Sequence, residues 1–362
     1  MYLKDIIRGG FIMNILILTG RFGMGHVKAA EAIRESVQAA DPQIHVNIVD
    51  FTDYLFPHAA DHIYQGFHFL VNRCSRVYNY CNRLADHYGH APFQEALLGR
   101  IDRLLAFFQP DLIVATLPFC GQYISAYKKQ RRCTIPLYTY ITDVTLHEEW
   151  ISDGTDLYFA ASVQTQDVLL SRGIPPGKII VSGVPVRQAF LTSSQRCSTH
   201  PRRHTHVLIM GGGLGMITCR DRLLQELHDA PHVLTTVIAG RNSCLARQLR
   251  ETYPNFRVIG YTEEVHHYMR EADLLITKPG GVTTFEAIAA GTPIFFLPPK
   301  LEQEKGNALF IVAAGIGLAL PQQPLLTIIN DDMLESMRRN MSQLGESFAD
   351  SCPLSYFSEK SA

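Results

Sequence analysis

No uninterrupted apolar run in this sequence approaches the roughly 18 residues that a helical membrane span needs. Charge of one sign is lacking too. Lys plus Arg total 33 against 34 Asp plus Glu, which argues against a nucleic-acid partner and against a strongly anionic surface. The eight cysteines are scattered, with no Cys-x-x-Cys pair and no zinc-ligand spacing, so reduced thiols in a cytosolic compartment are the simplest expectation. No secretion signal is expected either. The early apolar piece, residues 11–18, carries Asn14 and runs into glycines rather than into a small-residue cleavage site. It reads as a first strand, and Met13 is a plausible translation start, with residues 1–12 a dispensable extension.

What is present is a repeated α/β pattern. A chain of 362 residues exceeds one ordinary core and suits two domains with a cleft between them. Residues 15–19 (ILILT) form a continuous apolar run of the kind found in parallel strands covered on both faces. A helix follows, with Val27, Ala30, Ile33 and Val37 at helical spacing. Strand signals return at 112–115, 137–141, 157–160 and 178–181, with one long helical stretch expected over 61–108. The polar segment 193–204 (SSQRCSTHPRRH) reads as a linker. The pattern then restarts with strands at 206–210, 233–239, 256–259, 273–277 and 292–297. The domains expected are therefore 1–192 and 205–330, followed by a closing helix and frayed tail over 331–362. Strands alternating with helices predict a parallel sheet in each half, an α/β protein with two Rossmann-like domains.

Three loops can do chemistry. Residues 20–26 (GRFGMGH) join the first strand to the first helix, and 211–215 (GGGLG) do the same in the second half. Glycines there let backbone approach a ligand, and a helix start offers N–H groups and a positive dipole end. Either loop alone is also what a tight strand-to-helix turn looks like; two at equivalent places are more specific. Neither carries a Walker lysine, which argues against a nucleoside triphosphatase. The third loop, 278–287 (KPGGVTTFEA), is followed by 302–308 (EQEKGNA) ahead of another helix. Gly280, Gly281 and Thr283 offer donors to a diphosphate, and Glu286 can accept from both ribose hydroxyls. Gln303, Glu304 and Asn307 form a mixed donor and acceptor set suited to sugar hydroxyls. The plainer readings are a helix cap at Thr283, a solvated charge at Glu286 and a polar loop at 303–307.

With these residues named, a family comes into view. ILILTGRFGMGH, YITDVTLHEEW, VSGVPVR, VLIMGGGLG, VIGYTEE, LLITKPGGVTTFEA and EQEKGNA resemble, in order and spacing, the monogalactosyldiacylglycerol synthases and bacterial diacylglycerol glucosyltransferases of glycosyltransferase family 28. They are similar, more distantly, to the N-acetylglucosaminyltransferase that forms lipid II. The resemblance runs from about residue 13 to about residue 320. It implies a GT-B fold, inversion at the anomeric carbon, a UDP-sugar donor, a membrane lipid acceptor and no catalytic metal or cofactor. The lack of any Asp-x-Asp is consistent with the last point. It further implies peripheral contact of the N-terminal domain with the inner face of the cell membrane, aided by an exposed aromatic loop at 54–56.

Residue by residue, the resemblance puts Glu286 on the ribose, and Gln303, Glu304 and Asn307 on the hexose and diphosphate. Gly212, Gly213 and Thr283 would lie along the phosphates, and backbone at Gly260 and Tyr261 would read the uracil edge. Gly23, Gly25, His147 and Trp150 would lie on the acceptor side, with His26 and Asp143 the two candidates for the base. Two departures leave the donor open between glucose and galactose: Glu302 stands where glycine is common, and Gly306 matches the plant-type version. A UDP-N-acetylglucosamine transferase acting on a polyprenyl-linked acceptor, a non-catalytic UDP-sugar-binding protein and a sugar-nucleotide epimerase are the competing readings.

Overall fold

A computed structural model describes residues 13–73, 94–145, 148–191, 204–212, 215 and 221–357. These divide into two units. The first comprises the described residues before 143, those of 148–185 and those from 350 onward; the second comprises Asp143–Thr145 and the described residues of 186–349.

In the first unit β1 (Asn14–Thr19) leads to α1 (Met24–Ala40), β2 (His45–Asp50), α2 (Phe51–Leu55), α3 (Ala60–Arg73) and α4 (Gln94–Phe108). Then come β3 (Leu112–Ala115), α5 (Pro118–Arg131), β4 (Leu137–Tyr140), β5 (Leu157–Ala160), α6 (Val163–Ser171) and β6 (Ile179–Val181). The strands form one six-stranded sheet in the order β2-β1-β3-β4-β5-β6, all pairs parallel. Alternation along β1 explains its unbroken apolar sequence. Ile15 and Ile17 face α1 through Ala30, Ile33 and Val37, while Leu16 and Leu18 face α4 and α5 through Leu104 and Ile124. Both faces are covered, so the four central positions of the strand, Ile15 to Leu18, are all apolar.

The second unit opens with α7 (Gln188–Leu191), β7 (Thr205–Met210), α8 (Asp221–Asp229), β8 (Val233–Ile238), α9 (Ser243–Thr252), β9 (Arg257–Ile259) and α10 (Val265–Glu271). It continues through β10 (Leu274–Thr277), α11 (Gly281–Ala290), β11 (Ile294–Phe296), α12 (Glu302–Ala313), β12 (Gly317–Ala319) and α13 (Asp331–Glu346). Its sheet is again six-stranded and parallel, ordered β12-β11-β10-β7-β8-β9.

Both sheets reverse direction beside their first strand. The chain steps from β1 outward to β2 and then returns to β3 on the other side; likewise β7, β8 and β9 run one way and β10 returns beside β7. At such a switch point the connections on either side diverge and leave a crevice at the carboxyl ends of the strands. The residues following β1 and β3, and those following β7 and β10, are therefore placed together by topology alone.

Several expectations need correction. β2 and β12 were not anticipated: β2 mixes polar residues into HVNIVD, and β12 is only three residues long. Residues 54–56 are not an exposed aromatic loop. Leu55 is fully buried in α2, and Tyr54 and Phe56 pack partly buried on the core. Of the long helical stretch, 60–73 and 94–108 are helical, and the part between lies outside the described residues. So do residues 1–12 and, apart from His204, the linker read at 193–204. The tail is not frayed as far as residue 357. Cys352 is buried, Tyr138 Oη donates to the Tyr356 carbonyl at 2.9 Å, and Tyr140 Oη donates to the Ser351 carbonyl at 2.8 Å. The closing helix packs with the second unit through Leu334. Among the described residues no helix is long and apolar enough to cross a membrane.

Candidate active site

His26 stands on the first turn of α1, just past the loop that leaves β1. Its Nδ1 lies 2.9 Å from the carbonyl oxygen of Thr116, the residue that follows β3, and 2.9 Å from Thr142 Oγ1, beyond β4. A carbonyl oxygen only accepts, so the proton sits on Nδ1 and the ring's lone pair is on Nε2. Thr116 Oγ1 donates back to the His26 carbonyl at 3.2 Å. The imidazole, which follows β1, is thus held at one nitrogen from the ends of β3 and β4 on the other side of the switch point, in the tautomer a general base needs. Sequence reading missed Thr116 and Thr142. The available signal was a threonine directly after each apolar run, in LIVAT and LYTYIT.

Two of the loop glycines differ in kind. A Cβ on Gly20 would come within 3.0 Å of Leu117 Cδ2 and 3.3 Å of Tyr64 Oη, whereas one on Gly23 would meet nothing within 4 Å. Packing demands the first; the second leaves the approach to α1 open, and Gly25 beside it is half-buried. Arg21 ties this loop down. Its backbone N–H donates to Tyr64 Oη at 3.1 Å, its Nε to Asp50 Oδ2 at 2.9 Å, and Tyr64 Oη donates to Asp50 Oδ1 at 2.6 Å. Burial, followed by the bond to Asp50, pushes the Tyr64 hydroxyl up to about 12. Trp150, placed on the acceptor side by the resemblance, is part of the packed interior beside His26. It is 2% exposed, packed with Ile141, Tyr158 and Leu169, with its ring centroid 6.3 Å from that of His26. His147 lies outside the described residues.

The second switch point gathers the donor-side residues. Gly212 has φ +70, the left-handed region that favours glycine. Gly215 has φ +64 and could carry no Cβ, which would fall 1.9 Å from the Ala239 carbonyl oxygen. Gly213 lies outside the described residues. Across from this loop, α11 starts at Gly281 behind the cap residue Gly280, which supplies no side-chain cap bond. The leading N–H groups of α11 have no acceptor within the helix, so this end is suited to an anion. Thr284 turns its hydroxyl back onto the Gly280 carbonyl at 2.8 Å, while Thr283 is half-buried and Glu286 is buried. In the loop after β9, Gly260 is half-buried and Tyr261 is 42% exposed, with the Arg241 guanidinium 5.1 Å over its ring. The Tyr261 hydroxyl donates to Glu263, which Arg187 Nη1 holds through both its backbone and carboxylate oxygens at 3.1 Å.

On α12 the polar residues separate by helical phase. Gln303 is half-buried. Glu304 instead turns inward: it is 7% exposed, and its Oε2 accepts from the backbone N–H groups of Lys300 at 2.8 Å and Leu301 at 3.3 Å. Asn307 is fully buried. Its Oδ1 accepts from Val144 N at 3.0 Å, and its Nδ2 donates to the Pro279 carbonyl at 3.1 Å and, weakly, to Asp143 Oδ1 at 3.4 Å. Both donors of this buried amide are thus directed at protein oxygens. Beside the sugar contact expected of them, Glu304 caps the start of α12 and Asn307 braces the protein internally. Asp143 is half-buried and belongs, with Val144 and Thr145, to the second unit.

Comparison with known proteins places this geometry. The model for monogalactosyldiacylglycerol (MGDG) synthase matches residues 26–186, and that for the glycosyltransferase family 28 C-terminal domain matches residues 206–351. The processive diacylglycerol beta-glucosyltransferase of Bacillus licheniformis is 27% identical over 361 residues, covering 91% of each chain. Among solved structures, MurG of Acinetobacter baumannii superposes with a TM-score of 0.60 at 15% identity, covering 95% of this chain and 98% of its own. The spinosyn rhamnosyltransferase SpnG gives a TM-score of 0.62 at 14% identity, covering 95% and 99%. These last two share the GT-B fold of paired parallel sheets seen here. With a domain of the first kind followed by one of the second, the chain belongs to the monogalactosyldiacylglycerol synthase and diacylglycerol glucosyltransferase family of GT-B glycosyltransferases.

Proposed function

We propose that this protein is an inverting glycosyltransferase that moves glucose or galactose from a UDP-sugar to diacylglycerol or a related membrane glycolipid, without a catalytic metal. The observation that carries the reading is the second switch point, where Gly212 and the open N-terminus of α11 stand at the ends of adjacent strands. That arrangement suits a nucleotide diphosphate. Glu286, Gln303, Thr283 and the backbone near Gly260 and Tyr261 are the further donor-side residues we assign. The names of the family model and of the curated relative supply the acceptor class.

In the reaction the acceptor hydroxyl gives its proton to His26 Nε2 while its oxygen bonds to the anomeric carbon. The bond from that carbon to the β-phosphate oxygen breaks, and UDP leaves with the bonding pair. Backbone N–H groups and the α11 dipole meet the charge that develops on it. We further propose peripheral contact of the first unit with the inner face of the cell membrane, the place where such an acceptor is found.

The test is UDP release from UDP-glucose, UDP-galactose and UDP-N-acetylglucosamine, each with diacylglycerol vesicles, with a polyprenyl-linked sugar and without acceptor. Release from one of the first two that depends on diacylglycerol is expected. Release that needs the polyprenyl compound, or that proceeds with UDP-N-acetylglucosamine alone, would contradict the proposal.

A further inference from the structure

We propose that Lys278 is a catalytic residue, its ammonium neutralising the β-phosphate of the departing UDP, and that Glu304 is the residue that positions it. The proposal rests on the donor reading above and adds to it the cation that reading lacks.

Lys278 is the first residue beyond β10, the strand that lies against β7 where the sheet reverses. Its stem runs over the glycine loop: Cε is 3.7 Å from where a Cβ on Gly212 would stand. Its own carbonyl accepts from Gly280 N at 2.8 Å, which tightens the turn feeding the N-terminus of α11. Lys278 is therefore bracketed by the two backbone elements suited to phosphate.

The partner matters as much as the place. Glu304 uses Oε2 to cap the start of α12, and its Oε1 lies 3.5 Å from Lys278 Nζ. A carboxylate only 7% exposed is costly to bury without a countercharge, so the pair anchors the lysine. The separation is long for a charge-assisted bond, and an ammonium has three donors. One directed at Glu304 leaves the head, on a side chain 33% exposed, able to donate elsewhere. Lys305 is a contrast on the same helix: its side chain is 52% exposed, and it pairs at 2.9 Å with Glu302 three positions back, an ordinary surface pair.

Bond cleavage transfers negative charge to the β-phosphate. A helix end offers about half an elementary charge, whereas a lysine offers a full one, fixed in advance of the reaction.

The experiment compares wild type, Lys278→Met, Lys278→Arg, Glu304→Gln and the double variant Lys278→Met/Glu304→Gln. It reads kcat, calorimetric Kd for UDP and for UMP, and Tm. Lys278→Met should lower kcat about 100-fold and weaken UDP about 10-fold or more, while UMP, which lacks the β-phosphate, changes less than about 3-fold. Lys278→Arg should recover most of both losses. The double variant leaves no unpaired buried carboxylate, so it should fold and show the same change in the UDP-to-UMP ratio. A lower Tm with that ratio and kcat unmoved would make Lys278 a structural residue and overturn the proposal. Wild-type protein that binds neither UDP nor UMP would instead remove the donor reading beneath it.

Discussion

Gly306 lies so close against Thr145 that a Cβ added to it would fall 1.3 Å from Thr145 Oγ1 and 2.6 Å from Thr145 Cβ. Together with the bond from Val144 N to Asn307, this fastens the Asp143–Thr145 segment onto α12. Gly306→Ala should therefore cost about 1–3 kcal/mol of stability through overpacking. Thr145→Gly in the same chain should restore most of it. A denaturation cycle over the two single variants and the double tests this; additive costs would mean the two residues are not coupled.

The donor-side residues divide into those that face a ligand and those that brace. Glu286→Ala should weaken UDP by about 1–3 kcal/mol through lost charged hydrogen bonds. Asn307→Ala strips partners from buried groups, so it should act first on melting temperature, with UDP affinity of the folded protein little changed. Calorimetry on both variants decides, and unchanged UDP affinity in Glu286→Ala would take that residue out of the ribose site.

Transfer should survive chelation. The leaving-group charge is assigned here to Lys278, the α11 terminus and the glycine loop, and among the described residues no cluster of three or more His, Cys, Asp or Glu is disposed to hold a metal. Activity lost in EDTA and restored by magnesium or manganese would show the assignment to be wrong.

Acidification should destabilise the second unit through His206, away from the glycine loop. Its Nδ1 lies 3.2 Å from the Glu271 carbonyl, which fixes the proton there, and its Nε2 lies 2.8 Å from Thr236 Oγ1. Burial lowers its pKa from 6.5, so the unfolded chain takes up a proton more readily than the folded one. The neutral ring's contribution is complete above 6.5 and is lost as pH falls below it. Replacing His206 with Gln should flatten the fall in Tm between pH 7.5 and 5.5. An equal slope in both proteins would assign the acid sensitivity to other groups.

The central strands were legible because ILIL, LIVA, VLIM and LLI are unbroken apolar runs, the mark of a strand covered on both faces. The edge strands β2 and β12 carry no such mark. Glycines made the ligand loops visible, yet the partners that give His26 its tautomer are 90 and 116 residues away in the chain, beyond any local pattern. The inward stripe on α12 had a readable signal. Ala308 and Ile311 lie four residues beyond Glu304 and Asn307 and are buried with them, so helical phase places all four on one inward stripe.

In the reaction proposed, the base is His26, which the structure holds at Nδ1, and Asp143 is its rival. The decisive measurement is kcat and UDP affinity for His26→Ala beside Asp143→Ala, with folding checked by Tm. His26→Ala should lose about 100-fold or more in kcat with UDP affinity within about 2-fold of wild type. Near wild-type turnover in His26→Ala, with Asp143→Ala inactive, would contradict the account and move the base to Asp143.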